Sequence, residues 1–312
     1  MNIPQLLNQL PGAVSQGLIW GIMGIGVYIT FRILDIADLT VDGSFATGGA
    51  VAAILIIAGW NPWTAVLAAF LGGMAAGAVT GIFHTKMGIP AILSGILAQL
   101  ALYSINLRIQ GIGTDLGSRA NVPLSINKYK NMILSLRNVG KLALNNPIFL
   151  LILITSVLIG IMYWFFGTEY GCALRAVGAN QQMARSQGIN TNLGKLIGLM
   201  LSNGLVAFSG ALMAQYQGFS DVSMGRGAIV IGLAAVIIGE VIFGKIFLNF
   251  GMKLLAVSLG AIIYYLVIQI VLWLGLNTDD LKLLTALVVA IFLALPHWRA
   301  QIAAGKQKGG QA

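Results

Sequence analysis

The stretch TEYGCALRAVGANQQMARSQG, residues Thr168–Gly188, interrupts a chain that otherwise consists of long apolar runs. It is polar and basic, and an apolar run flanks it on each side. A simple connection between two membrane spans needs far fewer polar residues, so we expect this segment to have a role of its own. Its pattern predicts a short amphipathic helix with small residues on one face, which indicates a soluble partner at the membrane surface.

The composition places this chain in a lipid bilayer. Hydrophobic residues make up 58% of the 312 positions, and charged residues make up only 9%. A soluble domain carries roughly 25% charged residues. The chain therefore has too little charge to cover a globular surface in water.

The apolar runs set the number of predicted spans, since one span needs about 20 apolar residues. Charge-free runs occupy Met1–Phe31, Gly43–Phe83, Met87–Leu107, Leu142–Thr168, Leu196–Ser220, Gly227–Gly239, Leu254–Thr278 and Leu283–Trp298. The turn Gly59-Trp60-Asn61-Pro62 divides the second run into two spans. We predict an all-α, polytopic helical membrane protein with about nine spans, within a range of about eight to ten.

Several classes of chemistry have no support in this sequence. The single cysteine, Cys172, excludes an internal disulfide, and His84 and His297 are too isolated for a metal site. No P-loop, HExxH, CxxC or GxSxG motif occurs, so neither an enzyme nor a bound cofactor is expected. The net charge of +9 fits the basic cytoplasmic loops of membrane proteins, and no basic stripe with interleaved aromatic residues predicts nucleic-acid binding.

The charge distribution leaves the orientation nearly undecided. The basic tail, residues 299–312, is predicted to be cytoplasmic, and counting spans backwards places the 168–195 region on the same side. The segment Arg108–Asn146 then faces outward although it is also basic, which violates the positive-inside rule. An odd number of spans places the N-terminus outside, unless Ile3–Leu10 lies along the interface or the count differs by one.

Two short segments suggest an internal repeat. Asp38-Leu39-Thr40-Val41 and Asp221-Val222-Ser223-Met224 share the order acid, aliphatic, hydroxyl, apolar, and each precedes a glycine and a small-residue helix. The alternatives are coincidence and an inverted repeat of the kind found in transporters, with half-repeats at roughly 1–140 and 147–298.

The polar residues of these segments are either helix caps or part of a substrate pathway, because acidic groups near a membrane are costly and often functional. The candidate pathway residues are Asp38, Thr40, Asp42, Ser44, Asp221 and Ser223. Glu240 lies deeper in the second half, and Lys245 is its predicted salt-bridge partner.

The region Thr168–Gly218 resembles the cytoplasmic loop and following helix of ABC-transporter permeases that serve branched-chain amino acids, ribose and similar substrates. The matched motif residues are Arg175, Ala176, Gly178, Asn180, Ala184, Gly188 and Ile189. The segment ADLTVDGSF is similar to that of an aromatic-amino-acid-type branch. The general importer signature EAAxxxG is not kept, since Gln182 and Met183 precede Ala184, so its glutamate contact does not carry over.

This resemblance implies the membrane-spanning subunit of an ABC importer in the plasma membrane. Residues 1–312 would form one permease domain, and residues 168–192, the coupling segment, would contact cytoplasmic ATPase subunits that hydrolyse ATP. Small residues of the coupling segment, including Ala176, Ala184 and Gly188, would fit a groove of the ATPase, while Arg175 and Arg185 would pair with its acidic residues. The other implied partners are an extracytoplasmic solute-binding protein, docked on Arg108–Asn146, and a second permease copy.

A secondary transporter that works alone is the alternative function. It would need coupling-ion carboxylates deep within its spans, whereas the acidic residues here cluster at predicted span edges. A structural membrane protein is a third class, which the absence of any uptake defect would favour.

Overall fold

A computed structural model describes residues 3–115, 117–124, 133–134 and 146–273, together with isolated positions between 283 and 294. Most of the ninth predicted span, the tail at 299–312 and most of residues 125–145 lie outside the described residues. In chain order the elements are α1 (Ile3–Tyr28), a π-helical turn (Ile29–Ile33), α2 (Val41–Ile57), α3 (Pro62–Thr85), α4 (Ala91–Gln110), β1 (Asn121–Pro123), α5 (Pro147–Gly167), α6 (Glu169–Ala179), α7 (Gln181–Ser186), α8 (Thr191–Gln217), β2 (Phe219–Asp221), α9 (Ala228–Phe243) and α10 (Phe250–Trp273).

The described helices confirm an all-α polytopic membrane protein. Six stretches are long and apolar enough to cross a membrane: Gln9–Ile33, Pro62–Thr85, Ala91–Gln110, Pro147–Gly167, Thr191–Gln217 and Phe250–Trp273. The apolar helices α2 and α9 are shorter. These eight helices coincide with the first eight predicted spans, while the count of nine stays a prediction.

Short polar caps mark where the spans begin. Pro62 and Pro147 stand in the first turns of α3 and α5, where a missing N–H costs nothing. The preceding residues, Asn61 and Asn146, each accept a hydrogen bond from a backbone N–H of the first turn. The turn predicted at residues 59–62 therefore separates α2 from α3, as expected.

Helices α1 and α8 form the buried centre of the bundle, and glycines let their neighbours approach closely. Gly73 and Gly77 of α3 lie directly against the backbone of Asn203 and Leu199 in α8. On the other side, Gly17 and Gly21 of α1 lie against α10. Lipid provides no hydrophobic drive between helices, so such close packing holds the spans together.

We expect Gly73→Ala to destabilise the protein, because a Cβ at this position would meet the backbone of α8. Overpacking of this kind costs roughly 1–3 kcal/mol. The measurement is the melting temperature of the detergent-purified protein, which should fall.

Gly160→Ala in α5 is the matched control, because a Cβ there has no heavy atom within 4 Å and alanine favours a helix. Its melting temperature should stay the same or rise. An equal fall in both variants would contradict the packing argument.

Candidate functional site: a surface helix pair and a buried polar cluster

The coupling segment folds into two short helices rather than the single one predicted. Thr168 caps α6, its hydroxyl accepting a hydrogen bond from the N–H of Gly171 at 3.4 Å. Asn180 has an extended backbone and ends α6, and its side-chain oxygen accepts hydrogen bonds from Gln182 and Met183, both at 3.0 Å, to begin α7. Side-chain caps fix both helix starts, so the segment is an ordered surface feature.

The small residues of the coupling segment pack against the same chain. Gly178 lies against the carbonyl oxygen of Ile33, in the π-helical turn that follows α1. Ala184 is only 3% exposed. The expectation that Ala184 fits a groove of the ATPase is therefore corrected for its side chain, because the methyl group is buried within the chain.

The two arginines of the segment also have partners in their own chain. Arg175 donates a hydrogen bond to the carbonyl of Phe166, and its guanidinium lies 5.7 Å from the ring centroid of Phe250. Arg185 donates to the hydroxyl of Thr191 at 2.8 Å. Both side chains remain exposed. In the described residues they join α6 and α7 to the ends of α5, α8 and α10.

The exposed surface of α6, α7 and the start of α8 has apolar side chains that were not predicted as functional from the sequence. Tyr170 is 70% exposed, Met183 is 64% exposed and Leu193 is 50% exposed. They lie on α6, α7 and the start of α8. Large apolar residues within a polar segment were the available signal, since exposed apolar groups often mark a protein contact.

A buried polar cluster holds the start of α2 against α8. Asn203 of α8 donates a hydrogen bond to the carboxylate of Asp38 at 2.7 Å and accepts one from the hydroxyl of Ser44, also at 2.7 Å. The hydroxyl of Thr40 lies 2.8 Å from that of Thr80 in α3. Asn203 and Thr80 were not predicted from the sequence.

Three of the predicted substrate-pathway residues are buried in this structure, and their place in a pathway stays a prediction. Asp38, Thr40 and Ser44 are each at most 3% exposed. Their side chains bond to other side chains or to backbone groups of the bundle. Their role in the structure is therefore to fix the beginning of α2, and they do not face open space.

Asp42 joins the two segments of the predicted repeat. Its carboxylate accepts hydrogen bonds from the N–H groups of Gly227 at 2.9 Å and Ile229 at 3.0 Å, and so caps α9 from the first turn of α2. Gly225 lies against the carbonyl oxygen of Asp42. Both short helices thus begin at one place inside the bundle, while the repeat itself stays a prediction.

From this common start, α2 and α9 run to opposite ends of α8. The last turns of α2 pack with Val122 beside β1, which pairs with β2 directly after α8 ends. Helix α9 instead reaches Glu240, which forms a 2.8 Å salt bridge with Arg32. Arg32 belongs to the π-helical turn, and Leu34 directly after that turn lies against Gly198 in the first half of α8. The predicted Glu240–Lys245 pair is therefore wrong, because Arg32 takes that position.

The remaining candidate residues for the substrate pathway line two open clefts. Asp221 and Ser223 line a cleft of about 300 Å³ with Trp20 and Phe219. The carboxylate of Asp221 also accepts a hydrogen bond from the N–H of Ser223.

The second cleft, about 370 Å³, lies between α2, α4 and the loop before α9, and we call it the α4 cavity. Its polar or aromatic lining residues are Asp42, Gln99, Tyr103, Asn106 and Arg226. Only Asp42 of these was predicted from the sequence. The other four lie outside the segments that carry the repeat and loop motifs.

A family model described as the permease component of branched-chain amino acid transport systems matches residues 10–295. The chain belongs to this permease family. The resemblance found in the coupling segment is thus confirmed, and so is the expectation of a transport permease rather than an enzyme.

Three curated proteins illustrate the range of this similarity. A tyrosine transport system permease protein of Clostridioides difficile is 43% identical over 92% of this chain and 91% of its own. The uncharacterized protein RP368 of Rickettsia prowazekii is 34% identical over 92% of this chain and 98% of its own. The ribose import permease protein RbsC of Escherichia coli K12 is 27% identical over 81% of this chain and 80% of its own.

We expect Asn203→Leu to destabilise the permease strongly. The change removes the donor to the buried Asp38 carboxylate and the acceptor for Ser44. A buried polar group without a partner costs roughly 1–3 kcal/mol, and more when it is charged. Detergent-purified protein should show a lower melting temperature and a smaller monodisperse fraction.

Asn192→Leu is the control for this change, because it is the same substitution at an exposed position of α8. Its melting temperature should match that of the unchanged permease. If Asn203→Leu behaved like Asn192→Leu, the cluster would not be needed for folding.

Proposed function

We propose that the permease is the membrane-spanning subunit of an ATP-binding-cassette importer. Two copies would form the translocation unit, with cytoplasmic ATPase subunits on one side and an extracytoplasmic solute-binding protein on the other. The full permease would have nine spans, an inverted repeat, a cytoplasmic C-terminal tail and an outer N-terminus. Family membership supports the importer role, and the two short helices that begin at Asp42 support the repeat.

The coupling segment carries this proposal, because its packing connects its surface to the centre of the bundle. Gly178 of α6 touches Ile33, and only a few residues separate Ile33 from Asp38. Asp38 is bonded to Asn203, and Asp42 caps α9. An ATPase that moves α6 would therefore displace the π-helical turn and, through it, the starts of both short helices.

The exposed apolar side chains Tyr170, Met183 and Leu193 form the proposed contact with the ATPase. They lie on ordered helices and face away from the bundle. Apolar anchors at the centre of an interface usually carry most of its binding energy. Arg185 is also exposed and adds a positive charge beside these anchors.

We propose an amino acid with an aromatic side chain as the solute. The tyrosine permease relative shares 43% identity with this chain, whereas the ribose permease shares 27%. The segment Ala37–Phe45 is also similar to that of the aromatic-amino-acid-type branch. Both observations favour an amino acid over a sugar.

Met183→Asp is expected to prevent the ATPase subunit from copurifying with the permease, because it places a carboxylate at an apolar contact. Met87→Asp is the matched control. Met87 is also 64% exposed, and it lies in the turn between α3 and α4. Copurification should be lost only in the first variant, and retention in both would remove Met183 from the interface.

Reconstitution in proteoliposomes tests the transport mode. We expect uptake of radiolabelled tyrosine only when the ATPase, the solute-binding protein and ATP are all present. The control is the same preparation with an ATP analogue that cannot be hydrolysed. Uptake by the permease alone would instead support the secondary transporter.

A further inference from the structure

The α4 cavity is an open cleft between the start of α2, the exposed side of α4 and the loop before α9. Gly43, at the start of α2, packs against Leu102 near the middle of α4. The N-terminal end of α9 lies beside it, since Asp42 lines the cavity and caps that helix. Its volume of about 370 Å³ is within the range of roughly 300–1,000 Å³ that is usual for small-molecule sites.

Arg226 lines this cavity, and no described acidic residue forms an ion pair with it. Its guanidinium lies 5.9 Å from the ring centroid of Tyr103. Among the described residues no carboxylate is within ion-pair distance of Arg226. Asp42 is the one described carboxylate that lines the cavity, and its two oxygens already accept hydrogen bonds from α9. Arg226 is exposed to this cleft and lies beside Tyr103 of α4, a helix long and apolar enough to cross a membrane. Charged residues beside membrane spans commonly mark a solute pathway.

Asn106 supplies a second, independent observation. It is 1% exposed and lines the same cavity. Its amide group donates to the carbonyl of Gly43 at 3.3 Å, but its side-chain oxygen has no hydrogen-bond partner among the described residues. A buried acceptor without a donor costs roughly 1–3 kcal/mol. A ligand with an N–H group would satisfy it.

The three side chains therefore offer complementary groups to one class of molecule. A guanidinium binds a carboxylate, a free amide oxygen accepts from an ammonium group, and an aromatic ring contacts an apolar side chain. A neutral sugar would leave the charge of Arg226 unpaired. The set matches an α-amino acid with an apolar or aromatic side chain.

We propose, on the basis of the importer function above, that the α4 cavity is a transient binding site for the transported amino acid inside the membrane. Arg226 binds the solute's carboxylate, Asn106 accepts from its ammonium group and Tyr103 contacts its side chain. The starts of α2 and α9 border this site, so movement of these helices changes its access.

Uptake of radiolabelled tyrosine by the complete importer in proteoliposomes tests this proposal. Arg226→Gln should lower the initial rate at least tenfold at equal amounts of inserted permease, and Arg226→Lys should retain more of it. Asn106→Leu should also lower the rate, and serves as the second variant if Arg226→Gln does not insert. Lys86→Gln removes one positive charge at an exposed turn outside the cavity and should transport normally.

The outcomes separate this proposal from the importer function. An initial uptake rate for Arg226→Gln within twofold of that of the unchanged importer would overturn the site. If Arg226→Gln does not insert, an unchanged uptake rate for Asn106→Leu would overturn it instead. ATP-dependent uptake of ribose without uptake of any amino acid would also overturn the carboxylate site, while the importer function would stand. No ATP-dependent uptake of either solute, with all partners present, would defeat both proposals.

Discussion

The carboxylate of Asp42 caps α9 from a different helix, and the arrangement of the permease depends on this contact. Two short helices begin between the longer spans, and the free N–H groups of a first helical turn need acceptors. Asp42 supplies them to Gly227 and Ile229. Its negative charge also matches the partial positive charge of the helix start. The same residue belongs to the first turn of α2, so the two starts are fixed to each other.

The buried cluster around Asn203 holds the start of α2, and with it Asp42, against α8. Asn203 bonds to Asp38 before α2 begins and to Ser44 within its first turns. Glycines then bring α8 close enough for these short side chains to meet, as Gly48 and Gly210 show by lying against backbone of the opposing helix. The hydrogen bonds of Asn203 and the close packing at these glycines thus depend on each other, because both need α2 and α8 to lie close together.

The sequence predicted the helices far better than their contacts. Long charge-free runs and caps such as Asn61 follow from local chemistry, and the structure has helices at eight of the nine predicted spans. The Asp42–Gly227 bond joins residues far apart in the chain, and no local pattern reveals it. Asn203 was missed because one amide in a helix rich in Ser, Gly and Ala looks ordinary. Arg226 was missed because an isolated charge beside glycines is typical of a solvated loop.

The small residues of the coupling segment pack within their own chain. They were expected to admit a partner, yet Gly178 contacts Ile33 and Ala184 is buried in the same chain. Helix α6 is therefore in direct contact with the residues that follow α1. Under the proposed importer function, a displacement of α6 would press on the π-helical turn, whose other end leads to Asp38. Single π-helical turns are rare and occur often at functional sites. The chain places such a turn between the exposed face of the coupling segment and its buried polar cluster.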